Sequence, residues 1–600
     1  MEKFIKLLSF LTVLSAILLI QSCDDEESIA PAPVVTLDAS SSSQIPGSAI
    51  TITATVDAPN GGESLLVYVG GTEVESYDMA GAADFTQAFP FTVPANAVVG
   101  STIIISFQAV DVKNYPSAIT NYTLTVGDPV ITLSGTLTTR TLEAGKPYLI
   151  KGQTFIPTGV TLTVPAGTVV KGDKATKGTL IVQPGGKLVA NGTAASPVVF
   201  TSAQGVGERD RGDWGGIVML GNAWVNQTAL PAIEGITPAQ TYGNITSPTT
   251  NADQNAGTLK YVRIEYAGIE LTPNNETNSL TMGGVGTGTV IEHVQVSFGG
   301  DDGFEWFGGT VNGKYLVSLS TWDDDFDVDF GWSGNVQWGL AVRNPFFADQ
   351  SGSNAFECDN QANANDTPGG VAGYTRPIFS NITVLGPRDF NTGLGSGTSA
   401  RTISANYQNA IHIRRRTAIS IFNSFLSGFP VGVRLDDQAT LDNLVAGTGK
   451  HAYNVLASPN TTELGTTTSS SNVAFATGLF SGDATAVRDY WIANNNTFIK
   501  PTGGEGWSPN PGAPAGSIDP YTTPLGLNKA LFWGGQTSSN YPSNPAFTVT
   551  AGTLATGANF TDTKFTGNTF FNTTVTYRGA FGATDWTDGW AEFQPLNKVY

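Results

Sequence analysis

Two stretches of this sequence repeat a carboxylate pattern at a spacing that could do chemistry. Asp301-Asp302-Gly303-Phe304-Glu305-Trp306 is followed at an offset of 22 residues by Asp323-Asp324-Asp325-Phe326-Asp327-Val328, with Asp329 just beyond. A third copy, Phe356-Glu357-Cys358-Asp359, comes 30 residues after Phe326, as though a loop were inserted. Adjacent side chains of a strand point to opposite faces, so Phe304, Phe326 and Phe356 turned inward put Glu305, Asp327 and Glu357 outward. Strands stacked about 4.8 Å apart would line these three into an outward column, flanked by the other seven acids. Like charges that close need cations, protons or arginines to coexist. Ca²⁺ is one answer, since it takes 6–8 hard oxygen ligands. Paired carboxylates for sugar-chain cleavage are a second. A solvated acidic face paired with Arg343, Arg414, Arg415, Arg416 or Arg434 is the third.

Other chemistry is sparse. His293, His412 and His451 are scattered singly, the first two in alternating strands and the last in a loop, and make neither a zinc site nor a nucleophilic triad. Arg414, Arg416 and Arg434 are the best anion-binding candidates, and their plainer role is pairing with the acidic segments. Trp306, Trp322, Trp332 and Trp338 cluster within 33 residues and could stack on carbohydrate, although many such rings fill interiors. The Gly283–Gly288 string has no following Lys-Ser or Lys-Thr and reads as a turn.

A period near 22 residues suits one turn of a solenoid built from three short strands. Residues 160–202 carry short β-branched runs between Pro-Ala-Gly, Gln-Pro-Gly-Gly and Asn-Gly-Thr turns, with no helical period. They resemble the opening coils of a right-handed parallel β-helix of the pectate-lyase-like kind. The closing Asp585-Trp586-Thr587-Asp588-Gly589-Trp590 resembles the end of such proteins. The resemblance implies an all-β chain with the solenoid over 127–449 and with 450–600 as further coils and a loop-rich cap. Strands are predicted at Ile378–Leu385, Ile411–Arg416, Ile419–Phe425 and Val431–Leu435. Asp301-Asp302 is similar to the paired aspartates of β-helical polygalacturonases, but their Gly-His-Gly and Arg-Ile-Lys strings are missing. Lyase-like chemistry would need Ca²⁺ and an Arg or Lys base. Upstream, residues 34–126 alternate with period two in runs such as Ile50–Val56, which predicts an Ig-like β-sandwich used as a spacer.

At the start, Lys3 and Lys6 precede an apolar run from Leu7 to Ile20, and Leu19-Ile20-Gln21-Ser22-Cys23 resembles a bacterial lipobox. The resemblance implies a signal peptide over 1–22, lipidation of Cys23, an acidic tether over 23–33 and a cell outer-membrane address facing the exterior. Acyl chains contribute about 0.8 kcal/mol per buried methylene, so they anchor without a spanning helix. With 30 Lys and Arg against 50 Asp and Glu, the formal charge is −20 over 600 residues, which excludes nucleic acid as the partner. The expectation is a lipid-anchored binding or adhesion protein meeting glycan or an outer-membrane protein, with Ca²⁺ as stabiliser. A polysaccharide lyase or glycoside hydrolase, and an accessory subunit of an outer-membrane complex, are the alternatives.

Overall fold

The computed structural model describes residues 30–272, 275–361, 368–387, 404–458, 462–465, 478–501 and 543–600. The expected leader and Cys23 lie outside the described residues. The chain divides into two units, Met1–Pro129 and Val130–Tyr600.

In the first unit the alternating runs form two sheets. Val34–Leu37, Ala49–Asp57 and Asp84–Thr92 make one, and Ser41–Gln44, Thr120–Val126, Thr102–Asp111, Gly62–Val69 and Thr72–Asp78 make the other, in that spatial order. Period-two alternation sends Ile52, Val56, Leu65, Val67, Ile105, Phe107 and Leu124 into the space between them, all fully buried. This is the expected sandwich.

In the second unit, short strands broken by glycine and asparagine turns pair in parallel with their equivalents one coil away, over a 26-stranded sheet. One stack runs through Ile217–Leu220, Leu280–Val285, Phe304–Gly309, Phe326–Asp329, Phe356–Cys358, Asn409–Ile413, Val431–Leu435 and Gly478–Gly482. A second runs through Gly257–Glu265, Val290–Ser297, Asn312–Leu319, Asn335–Val342 and Ile378–Leu385. Each of these longer strands bends at one left-handed residue, with φ of 49° at Tyr261, 54° at His293, 58° at Tyr315, 64° at Trp338 and 59° at Asn381. The bend gives the coil its extra side. Left-handed backbone costs a residue with a Cβ roughly 1–2 kcal/mol. Stacking opposes that cost here: successive rings lie 4.3 Å apart from Tyr261 to His293, 4.3 Å from His293 to Tyr315 and 4.7 Å from Tyr315 to Trp338. At Asn381 the amide does so instead, donating to the Tyr577 carbonyl at 2.9 Å and accepting from Gln337 at 3.2 Å. Asn381→Ala is expected to lose about 1–3 kcal/mol. Asn381→Gly, free to keep positive φ, should lose less. Equal losses in urea unfolding would remove the backbone term from this account.

The interior holds the expected phenylalanine ladder. Phe304, Phe326 and Phe356 are fully buried, with ring centroids 5.9 Å and 5.1 Å apart. Two departures from the sequence reading concern the downstream chain. Strand Asn409–Ile413 stops before the arginines, because Arg415 and Arg416 take left-handed turns (φ 53° and 69°), and 419–425 splits into Ser420–Phe422 and Phe425–Ser427. His451 lies in strand Lys450–Ala452 and is fully buried, not in a loop. Coils continue to strand Thr497–Ile499, and two helices, Gln438–Val445 and Ala484–Ala493, close over the last coils with Leu444, Val487 and Trp491 in the interior.

Residues 543–600 are not an end cap. They lie along the flank of the coils, where Phe547, Phe581, Trp590 and Phe593 pack on Val317, Leu340 and Leu385. Their polar contacts reach from Thr497 (Arg578, 3.1 Å) through Gln337 (Asn572, 2.8 Å) to Lys171 (Tyr600, 3.3 Å).

Candidate functional site

The first strand stack presents the site. Its outward register reads Thr281, Glu305, Asp327, Glu357, His412 and Arg434, one per coil. The carboxylate column is therefore in register as expected, but it is not a solvated face. Glu305 is only 8% exposed, Asp302 7%, Asp324 2% and Asp325 0%.

Just before each strand stands a second column: Asn278, Asp302, Asp324, Asn354 and Asn409. The Oδ1 of each of the first four accepts the backbone N–H of its successor one coil on. Asp302 N donates to Asn278 at 3.2 Å, Asp324 N to Asp302 at 2.7 Å, Asn354 N to Asp324, and Asn409 N to Asn354 at 3.2 Å. Sequence reasoning missed the asparagine rungs, although the signal was there. Each rung sits two residues before an inward Leu280, Phe304, Phe326, Phe356 or Ile411.

Burial and mutual repulsion dominate the electrostatics. Burial first, then neighbouring carboxylates, pushes Asp301, Asp302, Glu305, Asp324, Asp327 and Asp329 well above the ordinary carboxylate range. Asp323 is pushed up to about 7 by burial and then by Glu357. Glu357 is the exception. Burial raises it, but Arg414 above all, with His412 and Arg415, outweighs that and leaves it below its usual value.

Among the described residues, arginines pair with the cluster at Glu357, Asp359 and Asp325. Arg414 grips Asp359 with Nε at 2.6 Å and Nη2 at 3.0 Å and also bonds Glu357, while Arg415 meets Asp359 at 2.6 Å. Arg343, fully buried, pairs with Asp325 at 3.2 Å, and that carboxylate also accepts from Ser318 at 2.6 Å. Asp325 thus faces Arg343 and stands outside the carboxylate triads. Asp329 accepts from the Phe330 N–H at 2.7 Å; burial first and then Asp359 push its carboxyl up, against the opposing pull of that N–H, Arg415 and Arg414.

Several residues read as ligand contacts are placed otherwise. Trp306 and Trp332 are buried in the coil interior, stacked 4.4 Å apart, so they are core. Parity explains Trp306, which stands two residues from the inward Phe304. Trp338 is 5% exposed beneath the C-terminal segment and donates to the Tyr577 hydroxyl at 2.9 Å. Trp322 stays half-buried near the acids, donating to Asp349 at 3.0 Å. Arg434 pairs with Asp436 at 2.9 Å, and Arg416 turns to Tyr374 at 3.4 Å.

Two groups of carboxylates come close enough to share an ion: Asp301, Asp302 and Asp323, and Asp302, Glu305 and Asp327, with ligand oxygens within 4.8 Å of one another in each. Asp323 Oδ1 and Asp327 Oδ1 are buried atoms with no hydrogen-bond partner. The donor set is oxygen only, because alternation turns Cys358 into the interior, where it is fully buried. These residues fit a hard divalent cation such as Ca²⁺ rather than a thiophilic metal.

Parallel coils stacked in register define a parallel β-helix, right-handed by the rule that parallel crossovers follow, carrying an acidic site on one outer face. The chain belongs to the pectate-lyase like beta helix domain family, whose match covers residues 135–496. No curated protein matches it. Among solved structures, the fibronectin(III)-like modules of Clostridium thermocellum CbhA align at 23% identity over 17% of this chain and 49% of that chain. The TM-score is 0.14, too low to bear on fold or function.

Proposed function

We propose that this protein is a Ca²⁺-binding β-helix protein, tethered by lipid on Cys23 to the outer membrane and facing the exterior, that holds glycan or a partner protein along its acidic face. The observation that carries the cation is the pair of carboxylate triads with the buried, partnerless Asp323 and Asp327 oxygens. Desolvating that many like charges costs several kcal/mol per ion unless something neutralises them. Among the described residues, the acids of this cluster that pair with arginine are Asp325, Glu357 and Asp359. Asp301, Asp302, Glu305, Asp323 and Asp327 would hold the ion, which would supply positive charge for an anionic or hydroxyl-rich ligand. Half-buried Trp322 at the rim offers an aromatic face beside it. The anchor rests on the lipobox-like sequence ending at Cys23. To test this, retention of the full mature chain on immobilised acidic polysaccharides is compared in Ca²⁺ and in EDTA. Retention lost in EDTA is expected, and equal retention in both would sink the reading. Labelled palmitate should enter the wild type and not Cys23→Ser.

A polysaccharide lyase is the second reading, favoured by the in-register continuation of the carboxylates into His412 and Arg434. A lyase base must release its proton near the working pH. Burial lowers the proton affinity of Arg414, but Glu357 and Asp359 more than reverse that and hold it above the ordinary arginine value. This weighs against Arg414 as the base. Release of unsaturated ends from acidic polysaccharides by the wild type, lost in an Asp302→Ala/Asp324→Ala double variant, would establish the lyase reading instead.

A further inference from the structure

The ladder from Asn278 to Asn409 needs no charge at any rung. A rung works by accepting the next coil's N–H through one oxygen, and amide and carboxylate present that oxygen alike. At the amide rungs the second side-chain atom finds its own partner. Asn278 Nδ2 donates to Glu305 and to Thr281 at 3.3 Å, and Asn354 Nδ2 donates to Gly352 and Glu357, each at 3.3 Å. At Asp302 that second atom is an oxygen. Asp302 is 7% exposed, its Oδ1 is engaged by the Asp324 N–H, and its Oδ2 accepts no hydrogen bond among the described residues. An asparagine there would keep the rung and remove a buried charge. The carboxylate persists where it belongs to both triads, the only side chain common to the two among the described residues.

We propose that Asp302 is a ladder rung adapted as a cation ligand. One oxygen is fixed by the fold, and the other is held between the triads as the ligand common to a divalent-cation site. This rests on the cation reading above and adds a division of labour within one side chain. A ligand whose rotamer is locked by the backbone of the next coil loses little side-chain freedom on binding, which favours affinity.

The test uses the full mature chain as wild type, Asp302→Asn, Asp302→Ala and Asp324→Asn, with CaCl₂ titrations by calorimetry and melting in EDTA. Asp302→Asn should melt in EDTA at or above the wild-type temperature and bind Ca²⁺ at least a hundredfold more weakly. Asp302→Ala, losing rung and charge together, should melt lower and also lose binding. Asp324→Asn, a rung outside both triads, should keep binding with a smaller loss. A wild type that takes up no Ca²⁺ overturns the cation reading and this inference with it. A wild type that binds, beside an Asp302→Asn protein that binds within threefold of it, overturns the inference alone. An Asp302→Asn protein that fails to fold, or melts well below wild type in EDTA, overturns the interchange of amide and carboxylate on which the inference stands.

Discussion

Arg343→Met is expected to destabilise the protein by about 3–5 kcal/mol, because removing one member of a buried ion pair strands the other. Arg343 and Asp325 are both fully buried, and the guanidinium also donates to Thr321 at 2.9 Å and lies 5.1 Å from the Tyr407 ring. Tyr407 is hydrogen-bonded to Arg343, and its hydroxyl donates toward the carbonyls of Asn344 and Phe347. The pair therefore holds the inserted loop that brings Ser351 to Asp323 at 2.8 Å and Asn354 to Asp324. Burial keeps the Asp325 carboxyl above its ordinary value even against the pull of Arg343, so an unpaired Asp325 would take up a proton rather than stay charged. Arg343→Met/Asp325→Leu should regain most of the loss, since well-packed apolar replacements of buried pairs are often neutral or better. Guanidinium denaturation of the single and double variants measures both. A single variant within about 1 kcal/mol of wild type would show that the pair is not what holds the loop.

The second large effect links Ca²⁺ to pH. Asp323 sits at about 7 when folded against 3.8 ordinarily. A carboxyl raised in this way favours the folded state while protonated. That contribution is complete below about pH 4 and is lost as pH rises through about 7. The groups facing Asp323, namely Glu357, Asp349 and Arg343, with Ser351 donating to it, give the same sign in sum. The metal-free protein should therefore melt lower at pH 8 than at pH 5. Ca²⁺ takes ionised carboxylates, so its stabilisation should grow over the same interval and reach about 4 kcal/mol at a thousand times Kd. Melting temperatures in EDTA and in CaCl₂ at the two pH values check it. A metal-free melting temperature that rises with pH, or a Ca²⁺ increment larger at pH 5, contradicts the account.

The parts of this site that follow strand parity are legible in the sequence. Phe304 inward implies Glu305 outward, and the 22-residue offset repeats both at Phe326 and Asp327. The same parity, applied to Trp306, would have sent it inward as well. What parity does not contain is cover. Nothing local to Glu305 says that the Asn278 side chain closes on it, because that contact depends on how coils stack. Likewise the runs of adjacent aspartates read as crowding, whereas Asp323, Asp324 and Asp325 have three different partners, in Ser351, Asn354 and Arg343. The course of 543–600 is not legible in the sequence for a similar reason. An aromatic, glycine-rich ending suits an end cap or a flank equally, and only its long-range partners, such as Gln295 with Glu592 at 2.7 Å, choose between them.

That flanking segment changes how the molecule should come apart. A solenoid whose coils touch only their neighbours can fray from either end, one coil at a time. Here a single stretch of chain bonds coils near Lys171, Gln295, Gln337, Asn423 and Thr497. Fraying at one end must first release contacts that reach toward the other, so opening of distant coils is thermodynamically coupled. The stack should exchange its amide hydrogens as one cooperative block, with the barrier set by peeling of the strap rather than by the stability of any single coil.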